Sequence, residues 1–310
     1  MKTSLAVAAC LSFIALPAAA APRPAITGVS HIAVYAADMA KTEHFYVHDL
    51  GTTKGADPEN PAGVRYYVSP AQFIEVLPLP ATQSDPKNRL DHVAFATTDA
   101  EGLRAYMMSK NIAVPAHVTT GSDGSSWFDT LDPEGNKVEF VQAPAKLPDV
   151  PLNPLSSHII HVGYIIHNRA LEDGFYRDVL GFRPYWYGGP GKATTPEWIS
   201  QQVPDGTDWI EYMVQKPVDG KGIPPQMSQS VAGILDHFSL GVADIKATDT
   251  TLWNGDRLEG QDTNNGPKIG ADAKWQLNLY DPDGTRAEIM EFHAIGTPCC
   301  SAFTAKDPEK

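Results

Sequence analysis

The chain has 310 residues, 42% of them apolar and 20% charged, which suffices for one large or two ordinary cored domains and excludes a disordered polymer. Its formal net charge is −13 with no concentrated run of Lys or Arg, which argues against a nucleic-acid partner, because phosphate binding needs clustered cations. An acidic surface of this kind serves solubility.

The first segment, 1–20, reads as a signal peptide. Lys2 gives a positive start, Leu5 to Leu16 an apolar stretch, and Pro17-Ala18-Ala19-Ala20 the small residues that signal peptidase accepts. The mature protein is expected to be periplasmic or secreted. Val7-Ala8-Ala9-Cys10 imitates a lipoprotein box, but the apolar run before Cys10 is too short and continues past it. No other segment has the apolar length that spans a bilayer, so no membrane partner is expected after cleavage.

The remaining chain repeats itself. A first module, 26–80, carries a strand over 30–35, a helix over 39–49 with Asp38 as N-cap, and strands over 64–68 and 73–78. A second, 88–144, has a helix over 100–110 capped by Asp99, with Leu103, Tyr106 and Met107 on its core face. A Pro-rich linker, 145–156, is expected to be extended. A third module spans 157–216 and, after a softer linker up to Gly233, a fourth spans 233–293. The run Thr248 to Thr251 makes the fourth module's helix weak. The tail, 294–310, reads as loose, with Cys299 and Cys300 as free thiols. The aromatic stretch Pro184 to Gly191 suits a flexible loop that either lines a pocket or packs on its own sheet.

The internal matches are specific. His31-Ile32-Ala33-Val34-Tyr35 parallels His161-Val162-Gly163-Tyr164-Ile165, and in both copies a Phe follows the His by fourteen residues. Phe45-Tyr46 with Leu50-Gly51 parallels Phe175-Tyr176 with Leu180-Gly181, each Gly suiting a helix cap. Leu90-Asp91-His92 parallels Leu235-Asp236-His237. Asp132-Pro133-Glu134-Gly135 parallels Asp281-Pro282-Asp283-Gly284, a turn in which Pro presets φ and Gly takes the unusual angle.

Each module opens its first strand with His (His31, His92, His161, His237) and carries Glu in its last (Glu75, Glu139, Glu211, Glu288). A carboxylate within an apolar strand is costly to bury alone, and so is an unpartnered imidazole. A shared divalent cation resolves both. Mixed His and carboxylate donors suit Zn, Ni, Mn, Fe or Co.

These motifs resemble the vicinal oxygen chelate superfamily, which includes glyoxalases, bleomycin-resistance proteins and extradiol dioxygenases. The resemblance implies an α+β protein of four βαβββ modules forming two tandem curled mixed-sheet domains, 21–144 and 157–293. It implies that His31, Glu75, His92 and Glu139 form one metal site and His161, Glu211, His237 and Glu288 another. It further implies a small-molecule substrate with vicinal oxygens, handled by a lyase, isomerase or epimerase, with Glu139 or Glu288 as general base. Extradiol-like members use two His and one Glu, here His161, His237 and Glu288, together with an acid–base His and a Tyr. This chain departs there: Tyr280 abuts Asp281, no His lies between His237 and Glu288, and the first half has Phe128 in the Tyr position with only His117 spare. A third possibility implied by the family is a non-catalytic binder of small molecules. His158 and His167 are expected to be structural, and Glu291 to point away from Glu288.

Overall fold

The computed structural model describes residues 22–82, 88–189, 196–215, 228–262, 264 and 266–309. The signal-peptide reading of 1–20 lies outside these residues. The first module contains β1 (Ile26–Ala36), α1 (Met39–Glu43) running into a π-helical turn (His44–Asp49), then β2 (Thr53–Ala56), β3 (Val64–Ser69) and β4 (Gln72–Pro78). The second contains β5 (Leu90–Thr97), α2 (Ala100–Ser109), β6 (Thr119–Thr120), β7 (Ser126–Leu131) and β8 (Lys137–Gln142). The third contains β9 (Ile159–Ile166), α3 (Arg169–Asp173) with a second π-helical turn (Gly174–Val179), β10 (Arg183–Gly188), β11 (Trp198–Gln202) and β12 (Trp209–Val214). The fourth contains α4 (Gln229–Leu235), β13 (His237–Val242), α5 (Ile245–Asn254), β14 (Lys268–Ile269), β15 (Trp275–Tyr280) and β16 (Arg286–Glu291).

These strands form two eight-stranded mixed sheets with the same topology, β2-β3-β4-β1-β5-β8-β7-β6 and β10-β11-β12-β9-β13-β16-β15-β14. The α+β architecture of two tandem curled sheets is thus as expected. In every module the first and last strands pair in parallel: β1 with β4, β5 with β8, β9 with β12, β13 with β16. The two modules of each half then join antiparallel through their first strands, β1 with β5 and β9 with β13.

Strand alternation sorts the side chains onto two faces. On β1, Ile32 and Val34 enter the hydrophobic core, while His31 and Ala33 face the other way, into the curl of the sheet. The core is continuous across both halves. Phe95 meets Phe182 edge to face at 5.2 Å, and Tyr46 approaches Phe238 at 6.3 Å. The Asp-Pro-x-Gly turns add polar ties between halves: the Tyr46 hydroxyl donates to Asp281 and the Tyr164 hydroxyl to Asp132, both at 3.2 Å. Each fully buried aromatic side chain contributes roughly 1.5–3 kcal/mol.

Asp38, Asp99 and Asp244 cap α1, α2 and α5 through their side chains. The expected helix 39–49 changes character at His44, where a π turn buries adjacent Phe45 and Tyr46. Gly51 and Gly181 take positive φ after these turns, of 75° and 82°. The Thr-rich helix α5 forms nonetheless: Asp244 caps it, and Thr248, Thr250 and Thr251 satisfy their hydroxyls on carbonyls one turn back. Residues 216–227 of the softer linker lie outside the described residues, and its end is helical as α4. None of the helices among the described residues is long and apolar enough to cross a membrane.

Three expectations are corrected. The tail is not loose. Phe303 packs on Tyr185 at 4.9 Å, the Thr304 amide donates to the Tyr185 carbonyl, and Asp307 meets the buried Lys274 ammonium at 2.8 Å. A buried Lys needs such an anion, and the tail supplies it. Cys299 and Cys300 are joined in a disulfide, not free. The stretch from Pro184 is no flexible loop up to Gly188 but part of β10, with Tyr185 and Trp186 buried; Pro190 and Gly191 lie outside the described residues.

Two candidate metal centres

The parallel register explains why His and Glu of one module converge. His31 pairs with Phe73 and Ala33 with Glu75, so His31 and Glu75 share a face two residues apart. In the third module His161 pairs with Trp209 and Gly163 with Glu211. The antiparallel joint then brings in the second His, since His92 lies opposite Ala33 and His237 opposite Gly163. A Cβ at Gly163 would overlap the His237 ring, so glycine there is what admits the imidazole. Glu139 and Glu288 arrive on β8 and β16 beside Ala94 and Ser239.

In the first half all four predicted donors meet. His31 Nε2 lies 2.9 Å from His92 Nε2, 3.8 Å from Glu75 Oε2 and 3.6 Å from Glu139 Oε1. His92 Nε2 lies 3.6 Å from Glu75 Oε2 and 3.9 Å from Glu139 Oε2. Glu75 Oε2 and Glu139 Oε1 are buried without a hydrogen-bond partner. Donor atoms about 2.0–2.2 Å from one cation stand about 3–3.5 Å apart. Buried, unpaired and spaced near that range, these atoms fit a cation better than they fit one another. The sequence reading missed Glu59, which groups with His31 and Glu139 within metal-binding reach. It sits in the stretch Asp57-Pro58-Glu59-Asn60 between β2 and β3 and ion-pairs with Arg65.

The second half brings its four together as well. His161 Nε2 lies 3.0 Å from His237 Nε2 and 3.2 Å from Glu288 Oε2, and His237 Nε2 lies 3.4 Å from Glu211 Oε2. His237 Nδ1 donates to the Leu235 carbonyl at 2.7 Å, which leaves its Nε2 lone pair facing the centre. His92 is oriented likewise by Asp91, at 2.7 Å from Nδ1. An aromatic ring stacks on the other His of each pair: Phe73 on His31 at 4.4 Å, Trp209 on His161 at 4.6 Å.

The electrostatics of the two clusters differ. In the first, burial and then Asp57 push Glu75 up to about 10, burial and then Glu59 push Glu139 up, and burial and then His92 hold His31 down. In the second, burial favours the neutral acid, but Arg286 and His161 override it and hold Glu288 down to about 2. His237 is held down to about 4 by burial and then by Arg286.

A cavity of about 570 Å³ opens on the second centre. Glu211, Glu288 and Arg286 reach it from the sheet, Tyr185, Trp186 and Trp198 wall it, and Cys299 and Phe303 close it from the tail. The aromatic stretch thus lines a pocket. His158 is held by Asp208 and the Glu309 carbonyl, and His167 by Glu134, in structural roles. His117 is exposed, and Phe128 is buried in the core. Glu291 faces away from Glu288 and accepts from the Ile245 amide at the start of α5.

This topology and donor pattern define a tandem curled-sheet scaffold with a candidate metal site in each half. Residues 28–140 match the family described as Glyoxalase/Bleomycin resistance protein/Dioxygenase superfamily. Similar solved structures include the Mn(II)-bound glyoxalase from Novosphingobium aromaticivorans, 16% identical with a TM-score of 0.62 over 86% of this chain and 83% of that one. The 2,3-dioxygenase LapB from Pseudomonas sp. KL28 is 15% identical with a TM-score of 0.61 over 87% and 93%. A mutant of homoprotocatechuate 2,3-dioxygenase from Brevibacterium fuscum is 17% identical with a TM-score of 0.62 over 94% and 76%. No curated protein sequence matches the chain significantly. Residues 28–140 are thus matched by the family that the motifs led one to expect, and the fold of the chain is like that of these solved structures.

Proposed function

We propose that the protein is a divalent-metal-dependent, glyoxalase-like enzyme whose working site is the second-half centre. The observation that carries this reading is the convergence of His161, Glu211, His237 and Glu288 on a cavity large enough for a small organic substrate. These four residues would hold the ion through two imidazole Nε2 atoms and two carboxylates. A divalent cation held there supplies Lewis-acid charge to two vicinal oxygens of a substrate. Glu288 then takes a proton from the carbon beside those oxygens and returns it to the neighbouring carbon, the step of a lyase, isomerase or epimerase. His161 and His237 stay neutral, fixed by the Trp209 stack and the Leu235 carbonyl. The aromatic wall restricts water around the reacting carbon. Glu139 has the equivalent position in the first half.

The reaction class is tested by incubating metal-loaded protein with 2-hydroxyacetophenone in D2O and following deuterium entry at the carbinol carbon by NMR. Exchange above the metal-only rate supports the reading, and none at any metal tried removes it. An Fe(II) extradiol activity is the second reading, favoured by the close trio His161, His237 and Glu288 and by the folds of the two dioxygenases. It predicts oxygen uptake with Fe(II) and catechol. Against it, no further His lines the cavity among the described residues. The apolar and small-residue pattern of 1–20 supports activity outside the cytoplasm.

A further inference from the structure

The repeat offers an internal control for the charge around each centre. Lys137 and Arg286 occupy the same step, two residues before the Glu of β8 and β16. In the first half that cation is neutralised: Lys137 ion-pairs with Asp91 and lies 3.9 Å from Asp129. In the second half both acids have changed use. Asp236, the counterpart of Asp91, accepts from the Ile165 amide at 3.1 Å. Asn278, a neutral amide, stands opposite Glu288 where Asp129 stands opposite Glu139. Arg286 keeps one carboxylate contact, Glu288 Oε1 at 3.9 Å, which is too long for a hydrogen bond. Its Nε is buried without a hydrogen-bond partner.

That guanidinium lines the cavity beside Glu288. Residues 286, 288 and 290 share one face of β16, so Arg286, Glu288 and Met290 all look into the same space. A buried guanidinium donor left unmet is costly, and a planar oxyanion can meet two donors of the fork at once. Much of the remaining lining is apolar and aromatic, from Tyr185, Trp186, Trp198 and Phe303.

We propose that the second-half cavity takes an aromatic or otherwise apolar carboxylate, its anionic end paired with Arg286 beside the metal centre and its body against the Tyr185–Trp186–Trp198 wall. The proposal rests on the metal-enzyme reading, since Glu211 and Glu288 offset the charge of a bound divalent cation and leave Arg286 as a cation available to the ligand. Lys137, already paired, gives the first-half centre no such preference.

The test compares 2-naphthylacetate with 2-naphthylacetamide, which share a ring system and differ in charge. Binding to full-length metal-loaded protein is measured by calorimetry and by quenching of the cavity tryptophans. Wild type is expected to prefer the acid by at least about tenfold, Arg286→Gln to lose that preference while keeping the amide's affinity, and Arg286→Lys to fall between. Equal affinity of wild type for acid and amide, failure of the acid to saturate, or an equal loss of both ligands in Arg286→Gln overturns the proposal. Repeating the titrations after chelation separates it from the reading beneath it. Acid preference that depends on Arg286 but is indifferent to metal leaves the anion site standing and removes the metal centre. Stoichiometric metal with no acid preference does the reverse.

Discussion

Lys137 and Arg286, Ala33 and Gly163, Phe73 and Trp209 stand at matching places around two centres that share the same four donors. In the first half the surroundings close in: Lys137 is paired, Arg65 lies over the Phe73 ring at 4.1 Å, and Glu75 and Glu139 are nearly inaccessible. In the second half they open: Arg286 keeps a buried unpaired nitrogen, Glu211 is more exposed, and the cavity reaches the donors. Duplication preserved the coordination frame, which strand register dictates, while the groups outside it diverged. The frame therefore speaks for metal binding in both halves, and the divergence is why the proposed function places turnover in the second.

The largest expected effect breaks the comparison at the bases. Glu139→Gln and Glu288→Gln together should abolish proton exchange, by about 10²–10⁴-fold, with the single Glu288 change responsible for nearly all of it. Equal losses from the two single variants in the NMR assay would make the halves functionally alike.

A structural asymmetry comes next. Among the described residues the tail is braced on a buried cation of the second half, Lys274, which also donates to the Phe292 carbonyl at 2.7 Å. Asp307→Ala leaves that ammonium short of its anion and should cost roughly 3–5 kcal/mol in chemical denaturation.

Acid and base should probe opposite halves of the chelated protein. Unfolded, His237 titrates near 6.5, whereas burial and Arg286 hold it down to about 4 in the fold. The unfolded chain binds the extra proton between those values, so stability falls by about 3 kcal/mol as pH drops from 6.5 to 4. Glu75, pushed up to about 10, keeps a proton that the unfolded chain gives up above 4.5, so its contribution weakens the fold as pH rises. Denaturation curves of wild type and His237→Gln across pH should show the acid limb flattened in the variant alone.

The smallest change sharpens the packing difference. Gly163→Ala should displace the His237 ring, cost about 1–3 kcal/mol in thermal unfolding and weaken metal binding in the second half.

Much of this was legible in the residues. Period-two strands, the Asp-Pro-x-Gly turns and the recurrence of His and Glu marked the four modules and their eight donors, and the family resemblance implied the two clusters; the parallel pairing that brings the donors together shows only in the fold. Glu59 was not legible, since it lies between β2 and β3, away from the strand positions at which His and Glu recur. Nor was the order of 294–309, whose contacts are single long-range pairs such as Asp307–Lys274 that leave no periodic trace. The π turns at Phe45 and Phe175 read as plain helix because an extra residue per turn leaves the apolar pattern almost unchanged. Nothing in the sequence pattern singles out Arg286; comparison with the paired Lys137 at the same step of the first half marks it.

The most direct measurement is metal content per chain, by elemental analysis, of the purified wild type and of the His161→Ala/His237→Ala variant after equal loading. The account predicts that the variant lacks one equivalent that wild type holds, while remaining folded by circular dichroism. Equal metal in a folded variant and wild type, or none in either, contradicts it.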